Sequence, residues 1–258
     1  MSEKAQRRAR QQAKAAVPPV RSGGPRRGSR RRLWQALAAA VVLGGVLGFA
    51  THHGSASGSA AVKHLPLGSL ADLGPLARPA PAGPTGPEGE PIPRARGLAA
   101  AGSLRPGQTV DGIQCQTSEQ LVYHIHVHLT VFVDGQPRQV PYGIGIAPPV
   151  QVLGTPKGAF ASSGTCFSWL HTHAADGIVH IESPTQRIYT LGDFFDVWGK
   201  ALTSRQVASA RGPVVAFVDG RPYEGNPRGI PLFAHAQIQL DVGRPLVRPE
   251  SVRFANGL

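Results

Sequence analysis

Six histidines of this 258-residue chain fall in two short stretches. His124, His126 and His128 alternate in the first; His171, His173 and His180, followed by Glu182, occupy the second. Neutral imidazole is the commonest protein ligand for transition metals. Three or four imidazoles at ~2.0–2.1 Å, with a carboxylate such as Glu182, suit Zn²⁺ or Cu²⁺. A set of this kind with a spare coordination position would also support hydrolytic or redox chemistry, which makes a metalloenzyme the second reading. The third is a metal-free structural or interaction module of the cell envelope, its histidines solvated or bonded only locally. His52, His53 and His64 carry no pattern, and His235 reads as structural.

Strand geometry decides which histidines can meet. From 123 to 134 the odd positions (Tyr123, Ile125, Val127, Leu129, Val131, Val133) are apolar or aromatic, and the three histidines take even positions. Such alternation predicts a strand with one buried face and all three imidazoles on the other. His124 and His128 lie about 13 Å apart at ~3.3 Å per residue, so one strand alone cannot build the site. The second stretch reads as a hairpin, with 167–173 and 178–182 flanking Ala174-Ala175-Asp176-Gly177. A two-residue loop opposes His173 to His180 and His171 to Glu182; a four-residue loop opposes His171 to His180. Both put His171, His173, His180 and Glu182 on one face, and directly opposed residues have Cβ atoms ~5 Å apart. The site then requires this hairpin to lie beside the first strand.

Around these strands, Gln136 to Ile146 reads as a return strand and Pro148 to Thr165 as a long loop. Thr190-Leu191-Gly192-Asp193 predicts a helix start, with Thr190 as N-cap and Asp193 in the first turn. Thr203-Ser204-Arg205-Gln206 resembles a second capping box. Val214 to Val218 and Gln237 to Val242 read as strands. Phe132-Val133-Asp134-Gly135-Gln136-Pro137 echoes Phe217-Val218-Asp219-Gly220-Arg221-Pro222, as expected of two hairpins with the same turn chemistry. The expectation is a strand-dominated α+β domain with one or two short helices, of β-grasp-like type.

Charge and hydropathy divide the chain. Residues 1–32 hold eleven Lys or Arg and one acid, Glu3, which is +10 of the formal +12. The high pI therefore belongs to a tail, and nucleic-acid binding is not implied for the domain. An uncharged apolar run at 33–50 follows, close to the ~20 residues that span a bilayer. The positive-inside rule places 1–32 in the cytoplasm and everything after the run outside, a single-pass cell-membrane topology. A cleaved signal peptide is the rival reading, and it exports the same residues. Residues 51–109, rich in Pro and Gly, read as a linker, with Gly86 to Pro93 as a strap that could pack on the domain. Residues 110–258 form the folded domain. Cys115 and Cys166 are the two cysteines; both are exported and read as a disulfide.

Tyr123-His124-Ile125-His126-Val127-His128-Leu129, Trp169-Leu170-His171-Thr172-His173, Asp176-Gly177-Ile178-Val179-His180-Ile181-Glu182-Ser183 and Thr190-Leu191-Gly192-Asp193-Phe194-Phe195 resemble an uncharacterised family of prokaryotic membrane-anchored or exported proteins with paired His-x-His motifs. The resemblance spans about 111–243. It implies a shared site at His124, His126, His171, His173 and His180 rather than His128, and no reaction. A nucleophile elbow, P-loop, Rossmann fingerprint and His-Glu-x-x-His helix are all missing from the sequence.

Overall fold

A computed structural model describes residues 65–102 and 104–258. The basic tail, the apolar run at 33–50 and the first residues of the linker lie outside the described residues. Among those described, no helix is long and apolar enough to cross a membrane. The chain divides after Ala50, and all described residues belong to the second unit, Thr51–Leu258.

Seven strands make the main sheet: β1 (Tyr123–Val133), β2 (Gln136–Arg138), β3 (Leu170–His171), β4 (Ile178–Ser183), β5 (Val214–Val218), β6 (Arg221–Tyr223) and β7 (Gln237–Val242). Their order is β6-β5-β7-β1-β4-β3, with β2 also paired to β1. β7 runs parallel to β1 and the other pairs are antiparallel. The two echoed segments are the β1–β2 and β5–β6 hairpins. Asp134-Gly135 and Asp219-Gly220 have φ of 50° and 73°, and 47° and 79°, the positive values that a two-residue type I′ loop demands.

The odd face of β1 is buried as its alternation requires. Val127, Leu129 and Val131 join a core with Leu191, Phe194, Phe195 and Trp198 of α1 (Leu191–Trp198), the one α-helix among the described residues. Thr190 caps that helix: its hydroxyl accepts from Asp193 N at 3.2 Å, and Asp193 Oδ2 accepts from Thr190 N at 2.8 Å. Gly199, in the left-handed conformation at φ 67°, ends it.

Four expectations need correction. Gln136–Arg138 is all that returns after β1; Gln139 pairs with Gly97 instead, and Pro141 follows two residues later. The stretch read as a long loop holds a hairpin, Gln151–Thr155 with Gly158–Ser163. Thr203 starts no helix. It opposes Gln206 across a tight turn, and its hydroxyl accepts from Arg205 N. The segment read as a linker is laid on the domain well before residue 110: Leu98 is in the core, Gly97 bridges to Gln139, and Trp198 Nε1 donates to Ala100 O at 2.8 Å. Cys115 and Cys166 form the expected disulfide, with Cα atoms 5.4 Å apart.

Candidate metal centre

The even face of the sheet carries the histidines. β1 pairs with β4 so that His124 opposes Glu182 and His126 opposes His180. β4 pairs with β3 so that His180 opposes His171, the register expected of a four-residue loop. His126, His180 and His171 therefore form one row across three strands, with Glu182 beside it. His173 lies just past β3 and is returned to the row by the neighbouring hairpin. Ala161 N donates to His173 O at 2.8 Å, and His173 Nδ1 donates to Ala161 O at 2.6 Å. Thr172 between them faces away: its hydroxyl donates to Pro141 O and accepts from Ile144 N. Gly145 permits that packing, since at φ 73° its backbone lies so close to the Leu170 carbonyl that a Cβ would collide with it.

Two triads result, His124–His126–His180 and His171–His173–His180, the ligand atoms in each lying within 4.8 Å of one another. His124 Nε2 is 3.0 Å from His126 Nε2, which is 3.1 Å from His180 Nδ1. In the second triad the hydrogen bonds assign the tautomers. His171 Nδ1 donates to Ser168 O at 2.8 Å, and His173 Nδ1 donates to Ala161 O. A neutral imidazole holds one proton, so Nε2 of both rings is a bare lone pair. Those two Nε2 atoms stand 3.1 Å apart in the protein interior. Donor atoms around a four-coordinate ion with ~2.05 Å bonds are about 3.3 Å apart. Backbone carbonyls that fix the far nitrogen are the usual outer support of metal-bound histidine.

The carboxylates complete the arrangement. Glu182 Oε1 lies 3.2 Å from His124 Nε2 and 3.4 Å from His180 Nδ1, and Oε2 lies 3.9 Å from His171 Nε2. Oε2 is buried and has no hydrogen-bond partner. Two acids the sequence did not single out also reach the cluster: Glu88, from the strap, sits 2.6 Å from His180 Nε2, and Glu119 sits 3.4 Å from His173 Nε2. Glu88 was foreshadowed only by the reading of Gly86 to Pro93 as a strap; nothing local marks Glu119. Phe160 stacks on His173 with ring centroids 4.8 Å apart.

Burial first, then the charge of His180 and of other histidines, pushes His126 down to about 3. Burial and the neighbouring His173 hold His171 well below its usual value, and burial with His180 lowers His173. All three are thus neutral near pH 7, the protonation state that a ligand needs. His180 differs. Burial pulls it down, but its bonds to Glu182 and Glu88 outweigh that and hold it up to about 9, so a cation bound at His180 must displace a proton.

The structure places His128 outside both triads. It opposes Ile178, at the far end of β4; its Nε2 donates to Asp176 O at 2.9 Å, and its Nδ1 accepts from the Thr130 hydroxyl at 3.2 Å. His235 also bonds locally, donating from Nε2 to Leu258 O at 2.9 Å. No family model, curated protein or solved structure matches the chain.

Proposed function

We propose that this protein is a membrane-anchored, extracytoplasmic transition-metal-binding domain, with Zn²⁺ or Cu²⁺ held by His124, His126, His171, His173, His180 and Glu182. One observation carries the reading: two bare Nε2 lone pairs, on His171 and His173, face each other at 3.1 Å in the protein interior. Neither neutral ring can donate to the other without giving up its own backbone bond, so a cation resolves the contact. The unpartnered Glu182 Oε2 beside His171 fits the same ion. A bound zinc would supply Lewis acidity there, and copper would add redox capacity. The disulfide supports an oxidising compartment. The basic tail and the apolar run at 33–50 support the tether. The β-grasp-like reading is supported by the last strand, β7, lying parallel beside the first, β1, with the helix between the two hairpins in sequence.

A metalloenzyme is the second reading, favoured by the 36% exposure of the His124 side chain, which opens one triad to solvent. The deciding experiment is titration of the full chain, in detergent and stripped by chelator, with Zn²⁺ and with Cu²⁺. His171→Ala or His173→Ala is expected to weaken binding roughly 100-fold or more, beyond the usual cost of losing an outer partner, and His235→Ala to change it by no more than about twofold. Equal, weak binding by all three variants and the parent would leave the metal-free module standing.

A further inference from the structure

The donor set is too large for one ion. Five histidines and Glu182 converge, whereas zinc in a protein site takes about four ligands and copper a similar number. They do not collapse into a single group. His180 belongs to both triads, but no group of mutually close ligand atoms contains His124 or His126 together with His171 or His173. Glu182 lies between the two halves with one oxygen toward each: Oε1 toward His124 at 3.2 Å, and Oε2, unpartnered, toward His171 at 3.9 Å.

From this arrangement we infer that the cluster is a two-metal centre, with Glu182 as the bridging carboxylate. His124 and His126 with Oε1 hold one ion. His171 and His173 with Oε2 hold the other, and His180, which is near both pairs, completes one of the two sets. Protein two-metal sites space their ions about 3.5–4 Å apart, a span one carboxylate can bridge. Charge balance agrees: two divalent ions bring four positive charges into a largely buried site, and Glu182, Glu88 and Glu119 set three carboxylates against them. This inference rests on the metal-binding reading above and adds the number of ions and their connection.

The test is a Cu²⁺ titration of the full chain, stripped of metal, followed by equilibrium dialysis and electron paramagnetic resonance. Two ions per chain are expected. The spectrum of the first equivalent should be that of isolated Cu²⁺; on the second, the integrated signal should fall below twice that value and a half-field transition should appear. Glu182→Gln should bind the first equivalent more weakly, since it removes a ligand, and lose the half-field transition at saturation, because a neutral amide is a poor bridge. Saturation at one ion per chain, or two ions with simply additive spectra in the parent protein, overturns the two-metal centre while leaving metal binding intact. No bound ion at all in the parent protein overturns the underlying reading instead.

Discussion

The polar face of the main sheet has two ends, and they solve the same problem differently. At one end Gln239 and Asp241 on β7 are 5% and 1% exposed; at the other His171 and Glu182 are 0% and 3% exposed. Asp241 Oδ2 accepts from Val247 N at 2.6 Å, Oδ1 accepts from Gln239 Nε2 at 2.9 Å, and the same amide also donates to Val247 O at 3.0 Å. Every carboxylate oxygen there has a donor. Around the histidines, lone pairs face lone pairs and Glu182 Oε2 has no hydrogen-bond donor. Buried polar groups are normally paired because an unpaired one costs about 1–3 kcal/mol. The closed network therefore reads as architecture. The open one reads as a place where a cation is the missing partner.

Loosening the frame of the open end should have the largest effect. The strand carrying Cys115 pairs with Ser168, whose carbonyl orients His171, and the disulfide closes a 51-residue separation. Replacing both cysteines by serine should cost about 4 kcal/mol in urea unfolding by the loop-entropy relation. It should also weaken metal binding roughly tenfold, as the loss of an outer support does. Undiminished affinity in the unbridged protein would mean that the Ser168 carbonyl is held by other contacts.

The closed end carries one proton that titrates within the accessible pH range. Burial raises Asp241 to about 6 despite the lowering pull of its Val247 and Gln239 bonds. The unfolded carboxyl titrates near 3.9, so between these values the folded state keeps a proton that the unfolded state has lost. The associated stability is complete below ~3.9 and is lost as pH rises through about 6. Asp241→Asn cannot titrate. Its stability relative to the parent should therefore improve by about 2 kcal/mol between roughly pH 4.5 and 7.5, measured by denaturant unfolding. A pH-independent difference between the two proteins would show that Asp241 stays ionised in the fold.

Much of the site was legible because strand parity is local. Alternation in β1 settled which face His124 and His126 take, and the hairpin arithmetic included the observed opposition of His171 and His180. The same parity could not say where β4 ends. His128 shares the face but opposes Ile178, so it has no histidine neighbour across the strand. Contacts between residues distant in sequence were likewise invisible: Glu88 and His180 are separated by 92 residues and meet only because the Pro-rich segment folds back onto the domain. Thr203 misled for a different reason. A Thr-x-x-Gln spacing serves a helix only if an apolar helical repeat follows, and here Gly212 and Pro213 come soon after. The tight turn that brings Thr203 opposite Gln206 is the outcome.

His128 sharpens the comparison with the smallest expected effect, since it lies on the histidine strand yet is closed like the Asp241 network. Both its ring nitrogens have partners, Asp176 O and the Thr130 hydroxyl. A glutamine amide can donate to the same carbonyl, so His128→Gln should leave metal affinity within about twofold of the parent, as expected of a site outside the coupled network. His126→Gln, two residues away on the same face, should lower affinity roughly 100-fold or more if loss of a ligand exceeds loss of an outer partner. The pair holds strand, face and substitution constant and varies only whether the imidazole is already satisfied. Equal losses in both variants would extend the binding site along β1 and remove the distinction between closed and open polar groups on which the metal assignment stands.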